Sequence, residues 1–358
     1  MTKRAILLVN LGGPDSLDAV RPFLYQLFSD PDIFQFPMGF ITQKLFAWMV
    51  SSRRYKAAQE NYQAIGGRSP ILPLTQAQAD ALASVLHTTP GYEGVKVYVA
   101  MRYWHPFTAE VVAQMAQDGI EDILMLPLYP QFSFTTTGSS LNELKRCLKK
   151  VPHFTPRIRV VGHYYQHPSY LAALAETIQE GLSRGQWSVP EKDVRILFSA
   201  HSLPRSFISK RKDPYQRHIE TTCQAVMHHA FPEHTWDLAY QSKVGKLVWL
   251  GPQTDGMLAY YRAKEIDNIL IVPVAFVSDH VETLCEIDQE YIPEAHHLGL
   301  CHVERCPSLN SRPTFIHALK TILMEKDVKQ GIFPTSSDTF IPQAATPHAH
   351  PALTPSTV

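Results

Sequence analysis

I-L-I-V-P-V-A-F-V-S-D-H-V-E-T, residues 269–283, joins a continuously apolar run to a polar loop dense in ionisable side chains. The run Ile269–Val274 shows no alternation of apolar and polar residues. A parallel strand buried on both faces has that character. Similar runs recur at Ala5–Val9, Val95–Val99, Ile123–Leu128, Ile158–Val161, Val194–Phe198 and Trp236–Tyr240. Amphipathic stretches separate them, at Leu72–Leu86, Ala109–Gln117, Tyr170–Leu182 and Pro252–Ala263. The alternation predicts a doubly wound α/β fold.

The pattern echoes itself. Ala5–Asn10 runs into L-G-G-P, and Val194–Ala200 into H-S-L-P. Ile123–Leu128 runs into Y-P-Q-F-S-F-T-T-T-G-S-S (129–140), as Ile269–Val274 runs into 275–283. Two similar Rossmann-like domains are expected, each a parallel sheet flanked by helices, with the cleft between them. The division falls at 1–165 and 166–328. Residues 329–358 are rich in Pro, Ser, Thr and Ala and read as a disordered tail. Ligands of such folds bind beyond the carboxyl ends of the strands, which brings all four loops to one cleft.

With 358 residues, roughly two domains are expected at about 150 residues each. The formal net charge is zero, which argues against a nucleic-acid partner. Five cysteines do not make a disulfide framework. Cys301 and Cys306 lack the second pair a structural zinc would want, and read as half-buried strand residues. The apolar run near the N-terminus is too short for a secretory signal, and no run reaches a membrane span. A reduced cytoplasmic setting is expected.

Histidine is the usual side chain for neutral-pH proton transfer and metal ligation, and the chain has 17. His201 falls just past a strand end in L-F-S-A-H-S-L-P (197–204). His280 opens the segment in which Glu282, Glu286 and Glu290 recur every four residues, so that a helix would stack them on one face. The ladder reads either as a solvated acidic face or as a path for protons or a divalent cation, with Asp279 and Asp288 beside it. His with carboxylates suits Fe²⁺, Zn²⁺ or Mn²⁺ alike. The loop Ser133–Ser140 offers backbone N–H groups to an anion. No dinucleotide, P-loop or nucleophile-elbow motif is present.

Residues 23–49 contain a dense set of apolar and aromatic side chains, followed at once by Arg53, Arg54 and Lys56, which extend the segment to 23–56. One reading is a core-facing helix pair. The other is an apolar lip with a basic rim, suited to a flat apolar ligand with carboxylates or to a membrane surface.

Eight motifs in order resemble the ferrochelatase family over residues 5–325. They are N-L-G-G-P (10–14), Y-Q-A-I-G-G-R-S-P (62–70), M-R-Y-W-H-P (101–106), the 129–140 and 197–204 stretches, Q-S-K-V-G (241–245), W-L-G-P-Q-T-D (249–255) and F-V-S-D-H-V-E-T-L-C-E-I-D (276–288). The resemblance implies insertion of Fe²⁺ into protoporphyrin IX to give protoheme, with iron as substrate. It implies that His201, His280 and Glu282 are catalytic, with His201 and Glu282 meeting the metal. Leu11, Arg53, Arg54, Tyr62, Arg102, Tyr103, Tyr129, Ser133, Trp249 and Phe276 match substrate-binding positions. Asp279, Glu286, Asp288 and Glu290 are then the candidates for the proton or metal path.

Animal members carry a [2Fe–2S] cluster on one loop cysteine and three C-terminal ones. Here Phe134 holds the loop position and no Cys follows residue 330, so no cluster and no permanent cofactor are expected. Lacking a mitochondrial presequence, the chain reads as a bacterial-type cytoplasmic protein, favoured as a monomer, with weak peripheral contact at the inner membrane as a further expectation. Coproporphyrin ferrochelatase, a cobalt chelatase, a tetrapyrrole carrier and, more weakly, a zinc hydrolase are the alternatives.

Overall fold

The structure is a computed structural model describing residues 2–34, 40–245 and 247–328. The expected tail at 329–358 and the lip residues 35–39 lie outside them. The first sheet comprises β1 (Arg4–Asn10), β2 (Lys96–Met101), β3 (Asp122–Pro127) and β4 (Arg157–Val160). The second comprises β5 (Arg195–His201), β6 (Trp236–Gln241), β7 (Asn268–Pro273) and β8 (His302–Arg305). Their orders, β2-β1-β3-β4 and β6-β5-β7-β8, are the same, and every pairing is parallel. The internal echo in the sequence is therefore a repeated topology. It extends to detail: β3 and β7 both end in proline, and a π-helical segment follows each, at Phe134–Gly138 and Glu282–Tyr291.

The helices are α1 (Val20–Phe28), α2 (Phe40–Ala64), α3 (Ile71–His87), α4 (Thr108–Gln117), α5 (Ser139–Leu148), α6 (Pro168–Arg184), α7 (Arg205–Ser209), α8 (Tyr215–Ala230), α9 (Thr254–Ala263), α10 (Ile292–His297) and α11 (Pro313–Val328). Helix α3 buries Ile71, Thr75, Gln78, Ala79, Leu82 and Leu86, a stripe at helical spacing. Successive strand residues face opposite ways. Ile6 and Leu8 of β1 and Ile196 and Phe198 of β5 enter one core shared by both sheets, with α3, α6, α8 and α11. Leu7 and Val9 face α4 and α5 instead, and Leu197 faces α9. Both faces of both central strands are thus buried, which is why these runs are continuously apolar.

At the start of β3 and β4, Arg159 holds Asp122 by two hydrogen bonds, Nη2 to Oδ2 at 2.6 Å and Nε to Oδ1 at 3.2 Å. Both side chains are at most one-tenth exposed. Arg159→Met removes both bonds and leaves Arg4, at 3.9 Å, as the cation beside Asp122 among the described residues. Removing one partner of a buried pair costs about 3 kcal/mol. The expected result is a lower urea midpoint with an unchanged m-value. A wild-type midpoint would mean that Arg4 suffices.

Candidate active site

Parallel strands put all their carboxyl ends on one edge, and the cleft opens there. A cavity of about 360 Å³ has an apolar wall and a polar wall. The apolar wall is Leu11 with Phe23, Leu24, Leu27 and Phe28 of α1. The polar wall carries His201 from the end of β5, Ser242 after β6, and His280, Glu282, Glu286 and Glu290 around the π-helical segment after β7. Arg54 and Tyr62 of α2 complete the lining.

His201 Nδ1 lies 2.9 Å from Glu282 Oε2, and His280 Nε2 lies 3.9 Å from the same oxygen. The Phe276 ring sits 3.9 Å from the His280 ring and 6.4 Å from His201. His280 Nδ1 donates to the Ser278 carbonyl at 3.1 Å, which leaves Nε2 as the unprotonated nitrogen. That buried Nε2 has no hydrogen-bond partner among the described residues. Burial alone would push the His201 imidazole down, yet the Glu282 and Glu286 carboxylates hold it above its ordinary value. Burial would raise Glu282, but His201 and His280 bring it below the usual carboxylate range. The pair is therefore biased toward imidazolium and carboxylate.

Glu286 is held on every side. Its Oε1 accepts from Ser242 N at 2.7 Å and from the Tyr291 hydroxyl at 2.8 Å. Its Oε2 accepts from Gln241 Nε2 at 3.0 Å and from the Ser242 hydroxyl. Burial, followed by the charge of Glu282, still raises its pKa. Two carboxylates one helical turn apart are thus driven in opposite directions, one toward the charged and one toward the neutral form.

The cavity gathers Leu11, Arg54, Tyr62, His201, His280, Glu282, Glu286 and Glu290 from the sequence-expected set. Phe276 packs against His280, with its ring 6.4 Å from His201. Arg53 is exposed beside Arg54 and outside the lining. Other residues of that set have their side chains engaged elsewhere. Arg102 and Tyr103 are outside this lining. Arg102 pairs with the buried Asp30 at 2.9 Å, and the Tyr103 hydroxyl donates to the same carboxylate at 2.6 Å. Tyr129 is buried beside Arg102 and Ser140. Arg102 and Tyr103 together anchor Asp30, just after α1.

Ser133 is also buried outside the cleft, donating to Asp213 Oδ2 at 2.8 Å. One N–H of this loop is used internally: Phe134 N donates to Asp213 Oδ2 at 2.9 Å. Trp249 Nε1 donates to the Val244 carbonyl at 3.1 Å and supports the 244–249 loop rather than lining the cavity. Asp279 and Asp288 are turned away from the cleft by Arg305, at 3.0 and 2.7 Å. Residues with no role assigned from sequence are Gln241, Ser242 and Tyr291, which hold Glu286, and Tyr215, whose hydroxyl donates to the His201 carbonyl at 2.9 Å. Q-S-K-V-G marked the first two as part of a motif without saying what they touch.

Two parallel four-stranded sheets with a His/Glu cleft at their carboxyl edge define a chelatase-type protein. SirB from Bacillus subtilis, solved with Fe³⁺, superposes with a TM-score of 0.54 over 93% of this chain and 100% of its own, at 13% identity. The sirohydrochlorin chelatase SirB of B. subtilis subspecies spizizenii, in complex with cobalt, gives 0.50 over 92% of this chain and 98% of its own, at 11% identity. These fix the fold. The ferrochelatase sequence profile matches residues 3–327. A ferrochelatase of Geobacter metallireducens is 47% identical over 90% of this chain and 98% of its own length. One from Gloeothece citriformis is 43% identical over 90% of this chain and 82% of its own. The chain belongs to the ferrochelatase family. It is an enzyme, a lyase that inserts ferrous iron into protoporphyrin.

Proposed function

We propose that the cleft binds protoporphyrin IX between the α1 wall and the His201–Glu282–His280 cluster, and that this cluster exchanges the two pyrrole protons for Fe²⁺. The observation that supports this most is the single carboxylate oxygen of Glu282 facing two imidazoles across from an apolar wall. A free porphyrin is nearly flat and its inner nitrogens are shielded. Wall residues that buckle it expose a lone pair to the metal. His201, when neutral, accepts a pyrrole proton, and Glu282 steadies the imidazolium that results. Glu282 and Glu286 differ in proton affinity, so the proton passes on toward Glu290 at the cavity rim. Glu282, and His201 while its imidazole is neutral, are the groups that would meet the iron. Arg54, with Arg53 behind it, receives a propionate at the mouth.

The domain division is kept at 165/166, in the turn between β4 and α6. The reading includes no iron–sulfur cluster, on the ground that Phe134 holds the loop position and the five cysteines are scattered. Anaerobic Fe²⁺ with protoporphyrin IX or coproporphyrin III, followed by absorbance, tests the substrate. A protoheme spectrum is expected. Preferential turnover of coproporphyrin, or porphyrin binding without metallation, would overturn the reading.

The lip is amphipathic in space. Phe28, Phe34 and Phe46 pack inward with centroids 5.4–6.4 Å apart, while Ile41, Leu45, Trp48 and Met49 are exposed. Val244, Leu247 and Val248 are exposed on the loop after β6. Among the described residues no helix is long and apolar enough to cross a membrane. The proposed localisation is cytoplasmic, with these two ridges resting on the inner membrane as a monomer. Burying one such side chain contributes about 2 kcal/mol. Trp48→Glu is therefore expected to weaken co-sedimentation with lipid vesicles by more than about tenfold. Equal sedimentation would remove the lip from membrane contact.

A further inference from the structure

The loop carrying His280 is fastened from outside the cavity, and from both halves of the chain. Asn310 has φ of 45°, in the left-handed region that few residues other than glycine enter. From there its Nδ2 donates to Asp279 Oδ2 at 2.8 Å, and its Oδ1 accepts from Asp279 N at 3.0 Å. Its own backbone N–H donates to the Val277 carbonyl at 2.8 Å. Gln78, fully buried on α3, donates through Nε2 to Ser278 Oγ at 3.0 Å and to the Asn310 carbonyl at 2.9 Å. Its Oε1 is buried with no partner among the described residues. An apolar side chain at this position would remove both donated bonds and leave the Ser278 and Asn310 oxygens without them.

We propose that Asn310 and Gln78 are positioning residues for His280: they clamp residues 277–279 so that the Ser278 carbonyl keeps the Nδ1 proton and the bare Nε2 faces the cleft. Neither residue lines the cavity. They act on the reaction only through His280, as outer partners orient a functional imidazole elsewhere. The inference rests on the proposed role of His280, so the experiment separates the two.

Asn310→Gly, which keeps the backbone conformation, and Gln78→Met are made alongside His280→Ala in the full chain. Metal insertion is measured together with ¹⁵N-histidine NMR of the substrate-free protein. Both positioning variants are expected to lose about tenfold or more in kcat, with the porphyrin KM within about twofold. In both, His280 should change from the Nδ1–H form to a mixture of tautomers. A wild-type rate in His280→Ala defeats the reading of His280 itself. A slow His280→Ala with wild-type rates in the other two defeats the clamp alone. A lost rate with His280 still wholly Nδ1-protonated makes the loss structural and also defeats it. The two variants lie in different halves of the chain, so either one alone decides if the other does not fold.

Discussion

His201→Ala should lower kcat for metal insertion by about a thousandfold, within the range for removal of a positioned general base. Porphyrin affinity should stay within about threefold of wild type. The imidazole is a small part of the cavity lining, whereas the α1 side chains supply the broad apolar contact. The backbone should not move, because the Tyr215 hydroxyl holds the residue 201 carbonyl, which the substitution keeps. Loss of the imidazole removes the acceptor for the pyrrole proton and leaves Glu282 with the Ser242 side chain and with His280, at 3.9 Å. Stopped-flow metallation and fluorescence quenching of the porphyrin separate the two quantities. A rate within tenfold of wild type would take proton acceptance away from His201 and leave Glu282 as the base. A large loss of porphyrin affinity instead would make the residue a binding group.

What the sequence disclosed depended on whether a feature is local. Buried parallel strands announce themselves as apolar runs, so Ile269–Val274 and its six counterparts map onto β1–β7 within a few residues, whereas the short edge strand β8, H-V-E-R, carries no such run and gave no signal. His201 and His280 were legible because each follows such a run directly. Partners distant in the chain were not. Asp30 gives no sign that it will accept from Tyr103, 73 positions away. Nothing near Asp279 says that Arg305 will turn it from the cleft. Ser133 and Asp213 look like separate polar loops until the fold brings them to 2.8 Å. The acidic repeat was read as α-helical. Glu282–Tyr291 is π-helical instead, and Glu286 is not a bare rung but is enclosed by Gln241, Ser242 and Tyr291. Counting charges along one face cannot reveal which of them acquire partners from another strand.

Glu282→Gln separates the electrostatic role of the carboxylate from its shape. The amide can still meet His201 Nδ1 near 2.9 Å, so the imidazole keeps its place. Its charge is gone, and with it the main influence that lifts His201 against the effect of burial. Two results are expected together. The plateau rate falls by about thirtyfold or more, because the imidazolium formed on proton acceptance loses its counter-ion. The acid limb of kcat/KM moves to lower pH. The direction follows from the roles: His201 accepts a proton only when neutral, so activity rises as pH passes upward through its pKa, and lowering that pKa frees the base sooner. Glu286 remains and keeps part of the lift, so the shift should be smaller than in a double variant with Glu286→Gln. An acid limb that stays in place while the rate falls would mean that the titrating group is not His201, and that Glu282 serves the metal rather than the imidazole. A limb that moves to higher pH would contradict the electrostatic role, since it would mean that removing the carboxylate raises the imidazole pKa rather than lowering it.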